Sequence, residues 1–275
     1  MGWRSTRAAP AILRSFTCLC QIGLCIASLR AAQVPVRYKE GLVHGFLVLR
    51  TLQGETIADG DLIQTVDGDR VTTRAIFHFK DGSLHDETAV FSQGKYFRLL
   101  NDHLIQKGPA FEHPVDMQVN TTAGEVTVRY TEAGKEKTLI EHLPLPDDLA
   151  NGLVIILTKN LRPDTPETRV GFLVATPKPQ LVKLAITPEG EDSFSTGNLH
   201  RKARRYRVKV EIGGLTGVFA GLLGKQPPDT RIWILGSDAP AFVKSEGPLA
   251  AGGPSWRIEL VSPVWPSTAA PKEKE

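Results

Sequence analysis

From Val36 to Leu143 apolar and polar residues alternate with period two, and turn-forming pairs interrupt the alternation about every 8–12 residues. A chain patterned this way has few options. Each segment offers one face to a core and one to solvent, and short connections make neighbouring segments antiparallel. The pattern predicts strands over Gly45–Gln53, Asp61–Val66, Arg70–Lys80, Leu84–Gln93, Tyr96–Gln106, Val115–Asn120, Glu125–Thr131 and Lys137–Leu143. Turns are expected at Asp59-Gly60, Asp67-Gly68, Asp81-Gly82, Gln93-Gly94, Ala123-Gly124 and Ala133-Gly134, where glycine supplies the backbone freedom of tight hairpins.

One helix is expected to interrupt the meander. Pro144-Leu-Pro-Asp-Asp sets a rigid lead, Asp147 or Asp148 can cap, and Leu149, Leu153, Ile156, Leu157 and Leu161 recur at helical spacing before Pro163. So apolar a helix must be buried, and the concave face of a curved sheet is the available partner. Strands then resume at Arg169–Thr176, Leu181–Thr187, Arg204–Ile212, Arg231–Leu235, Ala241–Glu246 and Trp256–Ser262. The expected fold is mainly β: a large curved antiparallel sheet or half-barrel of about 12–14 strands, plugged by one apolar helix over residues 148–161. Residues 33–265 are read as a single domain and the polar tail 266–275 as disordered.

Residues 1–32 carry Arg4, Arg7, Arg14 and Arg30, no acid, an apolar stretch from Phe16 to Leu29 and all three cysteines (Cys18, Cys20 and Cys25). This reads as a signal peptide, cut after Ala32 or after Ala27 or Ser28, and so places the protein in the periplasm or outside a bacterial cell. The remainder has no cysteine and near-neutral charge, since the 33 basic residues of the whole chain lose four and the 30 acidic residues lose none. A nucleic-acid-binding domain is generally basic, so that class is set aside.

Three stretches hold candidate chemistry. In His78-Phe-Lys-Asp-Gly-Ser-Leu-His85, a two-residue turn at Asp81-Gly82 would set His78 opposite His85, with Glu87 two residues further on the same face. That set suits a two-histidine, one-carboxylate metal site, and equally a polar hairpin end facing solvent. The run from His200 to Val210 puts Arg205, Arg207 and Lys209 on one strand face, as an anion contact or as a solvated face paired with acids. The segment Leu215–Leu223, with Val218, Phe219 and Leu222, is either a short buried helix or an apolar lip that touches ligand or membrane. It is too short to span a bilayer, and Phe219 and Gln226 break its likeness to a phosphate-binding loop. Asp102-His103 stands as an isolated dyad, and no Gly-x-Ser-x-Gly elbow is present. No cofactor is indicated.

The stretches Phe79–Phe91, Gln106–Phe111 and Trp256–Trp265 resemble a group of exported bacterial proteins, the domain-of-unknown-function family 3108. More distantly, the strand rhythm with a plugging helix is similar to the lipoprotein-carrier (LolA/LolB-like) fold. The first resemblance implies no activity; the second implies a site for an apolar ligand. The functional expectation is a non-enzymatic envelope protein that binds an apolar or lipid-like molecule through Leu215, Val218, Phe219, Leu222, Arg205 and Arg207, with peripheral membrane contact possible. The alternatives are an envelope assembly factor using strand edges and the basic strand to bind a protein partner, and a metal-dependent hydrolase at His78, His85 and Glu87.

Overall fold

The computed structural model describes residues 1–2, 33–196, 199–211, 226–236 and 239–261. The expected signal segment, the stretch carrying Leu215, Val218, Phe219 and Leu222, and the C-terminal tail lie outside the described residues. Contacts divide the chain into Met1–Arg30 and Ala31–Glu275, and the fold below belongs to the second unit.

In chain order the elements are β1 (Val43–Thr51), β2 (Thr56–Asp67), β3 (Arg70–Phe79), β4 (Leu84–Gln93), β5 (Phe97–Lys107), β6 (Val115–Asn120), β7 (Glu125–Glu132), β8 (Lys135–His142), α1 (Val154–Asn160), β9 (Thr168–Val174), β10 (Gln180–Thr196), β11 (Leu199–Glu211), β12 (Thr230–Leu235), β13 (Ala241–Pro248) and β14 (Ser255–Val261). They form one open antiparallel sheet in the order β8-β7-β6-β5-β4-β3-β2-β1-β14-β13-β12-β11-β10-β9. The first and last strands therefore pair at its centre, with Leu47 opposite Leu260 and Leu49 opposite Ile258. The two sheet edges, β8 and β9, are neighbours in sequence, and α1 lies in the segment that joins them.

Alternation decides which face is covered. Val71, Phe91, Leu99, Met117 and Val128 from one arm of the sheet and Val170, Leu184, Val208, Ile232 and Phe242 from the other share one apolar cluster with Leu149, Leu153, Ile156 and Leu157. Side chains from both arms can meet around α1 only if the sheet curls about it. A second, smaller cluster of Leu47, Leu49, Ala58, Phe77, Phe79 and Phe111, with Trp256 against it, fills another part of the inner face.

The helix is shorter than its apolar spacing suggests. It covers seven residues, begins after Leu153 and has no side-chain cap. The preceding residues serve the sheet edge instead: Leu149 bridges Gly171 in parallel, the Ala150 N–H donates to the Gly171 carbonyl, and Gly152 turns the chain at φ +65°. Asp148 pairs with Lys183 and Asp147 with Arg98, so neither caps the helix.

Two further expectations are corrected. Asp59-Gly60 is no turn; it lies inside β2, and a Cβ on Gly60 would sit 2.2 Å from the Ile76 carbonyl oxygen and 2.7 Å from the Phe77 ring. That glycine answers a close approach between strands. The Leu181–Thr187 strand runs on to Thr196 because Glu189 bulges out between Pro188 and Gly190, which absorbs both breakers and lets the hairpin with β11 continue.

Candidate functional site

Strand register arranges the inner face in rows, and one row stands apart. Gly45 is opposite Leu62, Leu62 opposite Ala75, Ala75 opposite Glu87, and Glu87 opposite Leu104. The first four of these are partly exposed, although their faces point inward. The row on one side (Leu47, Gly60, Phe77, His85, Gln106) is buried, as are Gln64, Thr73, Ala89 and Asp102 in the row on the other side. Partial exposure along this row, between buried neighbours on β2 to β5, leaves a strip of the inner face in contact with solvent. The slot so formed runs between the two apolar clusters, floored by small and aliphatic residues.

A pair of carboxyls closes one end of the slot. Asp102 is opposite Ala89 and therefore one diagonal step from Glu87 on the same face. Asp102 is 1% exposed, and neither of its carboxyl oxygens has a hydrogen-bond partner. Glu87 accepts the Gly152 N–H, so the turn leading into α1 rests on this corner. A Cβ on Gly152 would lie 2.5 Å from the Ala89 Cβ and 3.3 Å from Asp102 Oδ1, so glycine is what lets the turn approach so closely. Burial pushes the Glu87 carboxyl up to about 7. Burial, then the neighbouring Glu87, holds Asp102 well above the usual carboxylate range.

His85 belongs to the same inner face, opposite Gln106, whose Nε2 lies 3.1 Å from His85 Nδ1 and donates to the Leu249 carbonyl at 2.7 Å. Burial drives the imidazole down to about 4, so it is neutral at neutral pH. The expected His78–His85 pair does not form, because Phe77 lies opposite His85 and Leu84 opposite His78. The hairpin closes between Phe79 and Ser83, around a three-residue loop with Gly82 at φ +85°. One loop residue more than expected moves each histidine to a different face. His78 lines an outer-face depression with Phe46, Val48, Arg50 and Asp59. The candidate set His78, His85 and Glu87 is thus split, and among the described residues no group of three metal-ligating side chains converges.

The basic strand keeps its expected alternation, with Tyr206 and Val208 buried and Arg205 and Arg207 facing out. Both arginines meet acids from the neighbouring strand. Arg205 donates to Asp192 at 2.7 Å and to Glu189 at 3.2 Å, while Arg207 lies 3.6 Å from Glu189. The Trp233 indole N–H donates to the same Asp192 oxygen at 2.7 Å, so this tryptophan belongs to the outer face. The other sequence candidates for ligand contact, Leu215, Val218, Phe219 and Leu222, lie outside the described residues.

Sequence reasoning missed the acid pair for a definite reason. In β5, Phe97 and Leu99 face inward, and strict alternation would continue with Asn101 and His103. A bulge at Leu100 reverses the phase, so Asp102, Leu104 and Gln106 turn inward instead. His103 then points out and pairs with Asp116 at 2.9 Å, which separates the Asp102-His103 dyad across the sheet. The signal available was the run Asp102-x-Leu104-x-Gln106, legible only to a reader who already knew the phase.

No family model matches the chain, and no curated protein matches it. Two solved structures resemble it. One is a β-barrel-like protein of the domain of unknown function DUF1849 from Brucella abortus, at 10% identity, covering 81% of this chain and 98% of that one, with a TM-score of 0.44. The other is the hypothetical lipoprotein YmcC from Escherichia coli, at 10% identity, covering 81% of this chain and 86% of that one, with a TM-score of 0.34. Among the described residues no helix is long and apolar enough to cross a membrane.

Proposed function

We propose that this is an exported, non-enzymatic envelope protein that holds an apolar or lipid-like molecule in the slot on the inner face of its sheet. The observation that carries the reading is the Gly45, Leu62, Ala75 and Glu87 row, inward-facing and unfilled between buried rows. A core closes such gaps with side chains when nothing else occupies them, because an empty lining forfeits its dispersion contacts. Here two small residues and one leucine leave the space open, and aliphatic chains suit it.

Native mass spectrometry of the protein purified from a Gram-negative host tests this directly. A mass excess that vanishes on organic extraction and fragments as lipid is the expected result. Ala75→Leu, which fills the slot with three carbons at a partly exposed site, should abolish the excess while the melting temperature is kept. A bare polypeptide from several hosts, or undiminished ligand in Ala75→Leu, overturns the assignment.

A second reading, an assembly factor that pairs through a strand edge, is favoured by β8. It ends the sheet, Lys135 to Thr138 are exposed, and Ile140 is 59% exposed. Crosslinking in the envelope from a photoreactive residue at Ile140 tests it: a discrete adduct supports the reading, and none rejects it. Arg205 and Arg207 give this reading no help, since both already face acids.

A further inference from the structure

Buried polar groups are almost always partnered, and a buried carboxyl with neither oxygen hydrogen-bonded requires an explanation. Asp102 is such a carboxyl, and it stands beside a second, Glu87, which accepts the Gly152 N–H. The side chains that surround the pair on this face, Thr73, Ala75, His85, Ala89 and Leu104, include no lysine or arginine. His85 is neutral at neutral pH, and its Nδ1 faces Gln106. The corner therefore has no basic side chain on this face and holds two carboxyl oxygens without a partner. It is also not a metal site by ligand count, since among the described residues no three candidate ligands converge.

From this corner the slot runs across β3 and β2 to Gly45 on β1, over Ala75 and Leu62. Three strand spacings make about 14 Å, roughly the length of an extended alkyl chain of a dozen carbons. Leu260 borders the far end, where its Cδ2 would lie 3.0 Å from a Cβ on Gly45. The site is thus polar and acidic at one end and aliphatic along its length.

We propose that the slot takes a single-chain amphiphile whose polar end is a protonated amine, seated at Glu87 and Asp102, with its alkyl chain along Ala75, Leu62 and Gly45. An ammonium group gives both carboxyls a hydrogen-bond donor and a counter-charge that favours their ionised form. Burial holds both carboxyls above their ordinary range, with repulsion from Glu87 added at Asp102, as expected where a counter-charge is missing. An anionic head such as a fatty-acid carboxylate or a phosphate meets repulsion at the same place and no compensating base. The inference rests on the slot reading above and adds the chemistry of the head group.

Calorimetric titration with dodecylamine, dodecanol and dodecanoate, each below its micellar concentration at pH 7, separates the two claims. Dodecylamine should bind at least tenfold more tightly than dodecanol, with dodecanoate weakest. In the Glu87→Gln, Asp102→Asn double variant, the amine should lose its advantage and converge on the alcohol. That variant removes two buried ionisable groups while keeping their shape, so its melting temperature should match or exceed the parent's, which confirms that the comparison is made on folded protein. Equal binding of the three heads, or an amine preference that survives the double substitution, overturns the head-group assignment and leaves the slot standing. Failure of all three chains to bind overturns the slot itself.

Discussion

The side-chain amide of Asn151 does for Leu173 what the backbone of a fifteenth strand would do: the Leu173 N–H donates to Asn151 Oδ1, and Asn151 Nδ2 donates to the Leu173 carbonyl, both at 2.8 Å. Leu173 is on β9, an edge of the sheet, and both residues are buried. The Leu149–Gly171 bridge continues the cover toward the start of that strand. Removing the amide strands a buried N–H and a buried carbonyl together. Asn151→Ala should cost ~3 kcal/mol, within the range of about 2–6 kcal/mol that two unsatisfied backbone groups span. The midpoint of urea denaturation reads this, and a loss below about 1 kcal/mol would mean that water replaces the amide.

The pH dependence of stability should contain two opposed slopes. Glu87 has a raised carboxyl, so its contribution is full below about 4.5, its unfolded value, and is lost as pH rises through about 7. Asp102, also raised, acts in the same direction. His85 has a depressed imidazole, so its contribution is present above about 6.5 and is lost as pH falls through about 4. Between about pH 4.5 and 6.5 the imidazole offsets part of the fall in stability that the two carboxyls produce. His85→Gln should expose a fall in stability of at least about 2–3 kcal/mol from pH 4.5 to 7, the size that Glu87 alone implies, with Asp102 adding to it. The Glu87→Gln, Asp102→Asn variant should instead gain stability over pH 4 to 6.5. Denaturation at six or seven pH values in each variant checks both signs.

How much of this was legible in the chain follows from which signals are local. Alternation and turn residues placed the strands from Arg70 to Thr131 within a residue or two, because each signal sits inside the element it marks. What failed was phase. The three-residue loop before Ser83 and the bulge at Leu100 each add one residue, and each transfers side chains to the opposite face. His78 with His85 was therefore a pairing that period two permits and the actual turn forbids, while Glu87 with Asp102 was invisible. The helix was over-read because Leu149 fits the helical spacing while it and Ala150 are engaged by β9, and spacing carries no information on such a partner.

Gly60 offers a test of that distinction between turn glycines and contact glycines. If it were a turn residue, Gly60→Ala would cost little beyond conformational strain. In mid-strand it forces a methyl against the backbone carbonyl of Ile76 and the Phe77 ring, neither of which is the free end of a flexible chain. A loss of ~3 kcal/mol is expected. Gly54, which has nothing within 4 Å of a Cβ, controls for space, since its φ of +96° makes strain its main cost. Thermal melts of Gly60→Ala and Gly54→Ala should therefore differ, with Gly60→Ala the lower.

The segment before β1 is fastened to the plug by an enclosed ion pair and by the side chain of Asn160. Lys159 on α1 pairs with Glu40 at 2.6 Å, with side-chain exposures of 17% and 6%. Gln64 donates to the same carboxylate, Gln93 brackets the Glu40 backbone with a donor and an acceptor, and Asn160 accepts the N–H groups of Arg37 and Tyr38. An ion pair this enclosed behaves unlike a surface pair, because truncating the lysine leaves a carboxylate that burial keeps from water. Lys159→Ala should cost about 3–5 kcal/mol. Glu40→Gln combined with Lys159→Met removes both charges while keeping shape, and should restore most of that loss. A double-variant cycle by urea denaturation distinguishes the cases. If the double variant is as unstable as Lys159→Ala although methionine keeps the stem, the fastening depends on the ion pair itself and not on the cost of an unpaired buried carboxylate.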